Sequence, residues 1–103
     1  MHQEVRMPTY ITLFRWTQKG IEKVKDSPGR LDKVKKVIQG AGGTFHAFYM
    51  TMGRYDGVTV SEAPNDEAYA KIILAVASGG AVQTETLRAF TEEEYRKIVG
   101  SLG

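Results

Sequence analysis

Two runs of alternating residues meet at a tight corner in the middle of the chain, and the rest of the sequence is arranged around them. Thr44-Phe45-His46-Ala47-Phe48-Tyr49-Met50-Thr51-Met52 leads into Gly53-Arg54-Tyr55-Asp56, and Tyr55-Asp56-Gly57-Val58-Thr59-Val60 leads out. Glycine, a charged residue and aspartate between two period-two runs predict a β-hairpin. Along the incoming strand, Phe45, Ala47, Tyr49 and Thr51 alternate with Thr44, His46, Phe48, Met50 and Met52, so both faces are partly apolar. The outgoing strand, Tyr55 to Glu62, carries Tyr55, Gly57, Thr59 and Ser61 on one side. That side is mostly small and polar and suits a restricted space.

Each side of the hairpin carries a helical stretch and a further strand. Thr9 to Trp16 is dense in β-branched and aromatic residues and predicts a strand covered on both faces. From Thr17 to Gly43, Ile21 and Val24 suggest a short helical piece capped by Thr17. Ser27 and Pro28 suit the N-cap and N1 positions of a second piece, whose apolar face is Leu31, Val34, Val37 and Ile38. Gly40-Ala41-Gly42-Gly43 stops it. Beyond the hairpin, Asn65 or Asp66 caps a helix carrying Tyr69, Ile72, Ile73, Val76 and Ala77. Ala81 to Phe90 is a fourth strand, and Thr91-Glu92-Glu93-Glu94 is a capping box opening a short last helix. The order β-α-β-β-α-β predicts an α+β, ferredoxin-like fold: one antiparallel four-stranded sheet, helices on one face, and an extra C-terminal helix.

A chain of 103 residues holds one core. Met7-Pro8-Thr9 reads as the start of the fold, leaving residues 1–6 as a flexible N-terminal extension and 7–103 as a single domain. With no cysteine, the chain has no disulfide, no thiolate nucleophile and no cysteine-ligated metal, which suits a reducing cytoplasm. No apolar run approaches the roughly 18 residues of a membrane span. The net charge of +2 is too small to call for a polyanion. The lysines from Lys19 to Lys36 alternate with Glu22, Asp26 and Asp32 as a solvated helix face. No aromatic platform or recognition helix accompanies them, so nucleic acid is not an expected partner.

Helices cover one face of such a sheet only. Tyr10, Phe14, Trp16, Phe48 and Tyr49 place large rings in both strand phases, so a bare second face would be an apolar patch of the kind monomers avoid. The expectation is a homodimer joined through the sheet face, closed into a dimeric α/β barrel, with a pocket for a small hydrophobic ligand lined by the same rings.

Several segments together resemble one family. Met7-Pro8-Thr9-Tyr10-Ile11, Gly53-Arg54-Tyr55-Asp56, Glu62-Ala63-Pro64-Asn65-Asp66-Glu67, Gly79-Gly80 and Thr84-Glu85-Thr86-Leu87-Arg88-Ala89-Phe90 are similar to the GYD domain family, in order and at its spacing, from Met7 to Leu102. The resemblance implies a branch of the dimeric α/β barrels, mostly small bacterial proteins. Its wider relatives include cofactor-free monooxygenases and lactone isomerases. It implies no catalytic residue, and a shared fold alone supplies none.

The candidate residues each carry a structural and a functional reading. Tyr55 and Asp56 are hairpin-corner groups or a phenol and an acid at a pocket mouth. His46 is a structural histidine or a general base. Glu85 is an edge charge or, if it faces the barrel interior, a base. Arg15 and Trp16 could clamp a carboxylate, with Tyr10, Phe48, Tyr49 and Arg54 completing the ligand-binding set. No motif asks for a cofactor, and one histidine outside the tail cannot build a histidine-rich metal site. The leading expectation is a small-molecule-binding or regulatory homodimer. The alternatives are a cofactor-independent monooxygenase or isomerase and an interaction module using the sheet edge.

Overall fold

A computed structural model describes residues 7–103, so the expected extension at 1–6 lies outside the described residues. The elements follow the order β1 (Thr9–Trp16), α1 (Gln18–Glu22), a 3-10 turn (Val24–Asp26), α2 (Ser27–Gly40), β2 (Thr44–Met50), β3 (Gly57–Glu62), α3 (Asp66–Ser78), β4 (Val82–Ala89) and α4 (Glu92–Gly100). The four strands form one antiparallel sheet in the order β2-β3-β1-β4. This is the ferredoxin-like α+β arrangement that the element order predicts.

Caps hold the helices where the sequence places them. Thr17 accepts from the Gly20 N–H, and the Asn65 side chain accepts from the Ala68 N–H at 2.8 Å. Thr91 and Glu94 form both halves of the capping box. Ser27 is a correction: it is helical, and Asp26 stands at the cap position without a side-chain bond. The 3-10 turn feeds directly into α2, and its bond from the Ser27 N–H to the Val24 carbonyl holds Ser27 in helical backbone rather than the extended one a cap takes.

The hairpin is also looser than its pattern suggests. β2 ends at Met50 and β3 begins at Gly57, so Tyr55 and Asp56 belong to the connection. Gly53 holds a φ of 111°, open to glycine alone at little cost. The connection closes through Thr51 N–H to the Asp56 carbonyl at 3.0 Å and Thr51 Oγ1 to the Tyr55 carbonyl at 2.7 Å. The Asp56 N–H meanwhile donates to the Phe14 carbonyl at 2.8 Å, tying the corner to β1.

A β-bulge in β2 decides which face each ring takes. Phe45 pairs with Ser61 while Ala47 pairs with Val60, leaving His46 as the extra residue. Strict alternation puts Phe45 and Phe48 on opposite faces; the bulge puts both toward the helices. Tyr10, Thr12, Phe14 and Trp16 share that face. The core there is Tyr10, Ile38, Ala63, Tyr69 and Ile72, flanked by Val34, Phe45 and Val76. The open face therefore carries fewer rings than expected. Ile11, Leu13, Val58, Val60 and Leu87 make it aliphatic, and Tyr49, 63% exposed, is its one ring on the strands.

Gly57 explains the small side of β3. A Cβ there would lie 2.2 Å from the Phe14 ring, so the ring takes the space that glycine leaves.

Candidate functional site

Helices α2 and α3 touch only briefly above the sheet. Beneath the gap lies a cavity of about 400 Å³, within the size range of small-molecule sites. Phe14, Trp16 and Phe48 line it from the strands, and Leu31, Val34 and Val76 from the helices. Hydroxyl-bearing residues line its sheet side. Thr12, Thr59 and Thr84 face it from three strands, and Tyr69 reaches in from α3. Thr12 Oγ1 lies 2.6 Å from the Tyr69 hydroxyl and 3.0 Å from Thr86 Oγ1. Burial raises the Tyr69 phenol above its ordinary range, so it is a neutral group at neutral pH. No Asp, Glu or His is among the lining residues; the charged ones are Arg30 and Lys33. A second depression, about 480 Å³, lies between the ends of α2 and α3. It is an open surface groove containing the exposed Lys71–Glu67 pair and offers a ligand little enclosure.

The residues singled out in the sequence do not gather in one place. Trp16 and Phe48 line the cavity. Tyr10 is in the core, stacked on Tyr69 with ring centroids 4.1 Å apart, and its hydroxyl donates to Asp66 Oδ1 at 2.5 Å. Burial first, and the Asp66 carboxylate second, push the Tyr10 phenol up to about 12. Arg15, Arg54, Tyr55 and Glu85 gather at one end of the open face. Arg15 lies over the Tyr55 ring at 4.9 Å and donates through Nε to the Arg54 carbonyl at 2.8 Å. The Tyr55 hydroxyl donates to Glu85 Oε2 at 2.5 Å, and that bond raises the phenol's pKa. At the other end of that face, His46 Nε2 meets Glu62 Oε2 at 2.5 Å, with the imidazole half exposed. Asp56 accepts from the Trp16 backbone N–H at 2.9 Å and so fastens the corner to the end of β1.

Arg15 and Trp16 leave β1 on opposite faces and do not form a clamp. Tyr49 is on the open face, away from the cavity. Sequence reasoning missed Thr12, Thr59, Thr84, Tyr69, Arg30 and Lys33. One signal was available: threonines share a strand phase with Tyr10 and Phe14, where a dry core would take aliphatic residues.

Fold and cavity together define a ferredoxin-like α+β protein with an apolar chamber between sheet and helices. The chain belongs to the GYD domain family, whose profile matches residues 10–99. It is 37% identical over 84 residues to the "Glutamine synthetase and cystathionine beta-lyase binding protein" of Thermus thermophilus, covering 81% of this chain and 88% of that one. Among solved structures, the leucine response regulatory protein of Mycobacterium tuberculosis superposes with a TM-score of 0.62 at 12% identity, over 82% of this chain. This chain spans 51% of that longer protein. TTHA0845 of Thermus thermophilus superposes with a TM-score of 0.53 at 23% identity, over 82% of this chain and 95% of its own. At these identities the two structures share the fold.

Proposed function

We propose that this protein is a homodimeric, small-molecule-binding regulatory protein of the bacterial cytoplasm, with its ligand in the cavity between the sheet and helices α2 and α3. The observation that carries the reading is the cavity itself: about 400 Å³, ringed by Phe14, Trp16 and Phe48 and floored by hydroxyls. Chambers of this kind bind by burying apolar surface and orient by a few polar atoms. A catalyst working without a cofactor would need a base at the substrate. His46, Asp56 and Glu85 all lie outside the cavity lining, which favours binding over the oxygenase or isomerase alternative.

Trp16 is the sole tryptophan and lines the cavity, so it reports on occupancy directly. Titration with the neutral fluorophore N-phenyl-1-naphthylamine is expected to give saturable energy transfer from Trp16. Val76→Phe, which fills the chamber, is expected to abolish it while preserving the fold. Absence of saturable transfer in the native protein would refute the reading.

A second reading is favoured by the relative's name: docking onto a metabolic enzyme. One exposed apolar surface for it is the side of α4 that carries Tyr95, Ile98 and Val99. Sedimentation of this protein with its own host's glutamine synthetase and cystathionine β-lyase decides it, since separate boundaries for all three would exclude such docking.

A further inference from the structure

The charge at the cavity is of one sign. Arg30 and Lys33, both on the first turns of α2, are the charged residues that line it. Lys19 adds a cation next to the lining: its Nζ donates to the carbonyl of Gly79, a lining residue, at 3.2 Å. The nearest acids in sequence, Asp26 and Asp32, are not among the lining residues, and Glu22 receives the Gln18 amide at 3.0 Å. Arg30 is held in place rather than free to sweep through solvent. Its guanidinium donates to the Lys23 carbonyl at 3.0 Å and to the Gly20 carbonyl at 3.2 Å. Those bonds take one N–H on each terminal nitrogen, two of its five donors. A guanidinium held at the rim with donors to spare suits a carboxylate.

Building on the reading that the cavity is the ligand site, we infer that its ligand is a small, largely apolar carboxylic acid. The hydrocarbon part lies among Trp16, Phe48 and the aliphatic side chains of α2 and α3. The carboxylate stays at the rim, where Arg30 donates to it and Lys33 adds a second positive charge. The Thr12, Thr59 and Thr84 hydroxyls meet any polar substituent at the far end. Keeping the anion at the rim avoids the cost of burying an unpaired charge in the chamber.

The test compares three ligands of matched shape on the full-length protein by calorimetry: 4-phenylbutanoate, 4-phenylbutan-1-ol and 4-phenylbutylamine. The acid is expected to bind about tenfold tighter than the alcohol, the least that one charge-assisted hydrogen bond supplies. The amine is expected to bind more weakly than either. Arg30→Gln and Lys33→Gln should each narrow the gap between acid and alcohol, by weakening the acid several-fold more than the alcohol. Lys33→Gln serves as the second variant because Arg30 also holds two backbone carbonyls. Raising the salt should weaken the acid alone. If the alcohol or amine binds as well as the acid, the inference on ligand class is overturned while the cavity remains a binding site. If none of the three binds and N-phenyl-1-naphthylamine fails as well, the cavity reading itself has failed.

Discussion

Asp56 shows how one side chain fixes the middle of the chain. Its carboxylate accepts the Trp16 N–H, and its backbone joins both β1 and the start of the connection at Thr51. Asp56→Ala removes the acceptor and strands a partly buried donor. Urea unfolding is expected to register a loss of about 1–2 kcal/mol. Asp56→Asn, which keeps an acceptor oxygen, should recover much of it. A catalytic Asp56 would instead leave stability almost untouched. Tyr10 offers a pH test. Its phenol titrates near 12 in the folded chain against 10.0 for an ordinary tyrosine, so folding favours the protonated form. The resulting stabilisation is complete below pH 10 and is lost as the pH climbs from there toward 12. Unfolding midpoints measured across that interval should fall in the native protein by more than in Tyr10→Phe. Equal slopes would show that the Tyr10 hydroxyl is not held as described.

The elements were legible wherever local chemistry decides them. The Asn65 cap, the Thr91–Glu94 box and the run from Thr9 to Trp16 all specify their own geometry within a few residues. The bulge at His46 was not legible, because no glycine or proline marks it. It follows from the pairing of β2 with β3, which is a contact between segments. Its consequence is large, since it turns Phe45 and Phe48 to the same side. The cavity was legible only as a general expectation of a pocket beside the sheet. Its lining depends on how far α2 and α3 stand apart, and no sequence pattern encodes that spacing. Gly57 is the clearest packing test at this scale. Gly57→Ala drives a methyl group toward the Phe14 ring and is expected to cost about 1–3 kcal/mol in chemical denaturation. Adding Phe14→Leu should return part of the loss. If the two substitutions are simply additive, the close approach of ring and backbone is not what glycine serves.

Over the whole molecule, two apolar surfaces remain without a cover among the described residues. One is the aliphatic open face of the sheet. The other is the side of α4 formed by Tyr95, Ile98 and Val99, continued just past its end by Leu102, which is 79% exposed. These positions recur at helical spacing, and the opposite side is laced by the Arg96–Glu92 and Lys97–Glu93 pairs. In the proposed homodimer the open faces meet and α4 lies along the partner. Analytical ultracentrifugation should then show a dimer for the native chain and a folded monomer for Leu87→Glu. Ile98→Asp should weaken the dimer without abolishing it. A native monomer at micromolar concentration would remove the sheet-to-sheet arrangement. The bulge has one more consequence, at the margins of the sheet. Both β2 and β4 present an unpaired row of backbone groups, but the two rims are unequal. The extra residue at His46 breaks the regular rise and fall of β2, so an incoming strand cannot zip along it without a gap. β4 pairs with β1 without interruption, from Val82 opposite Trp16 to Ala89 opposite Thr9. Strand addition, whether by a peptide or by the first step of a fibril, is therefore channelled to β4, where the charges of Glu85 and Arg88 stand as gatekeepers.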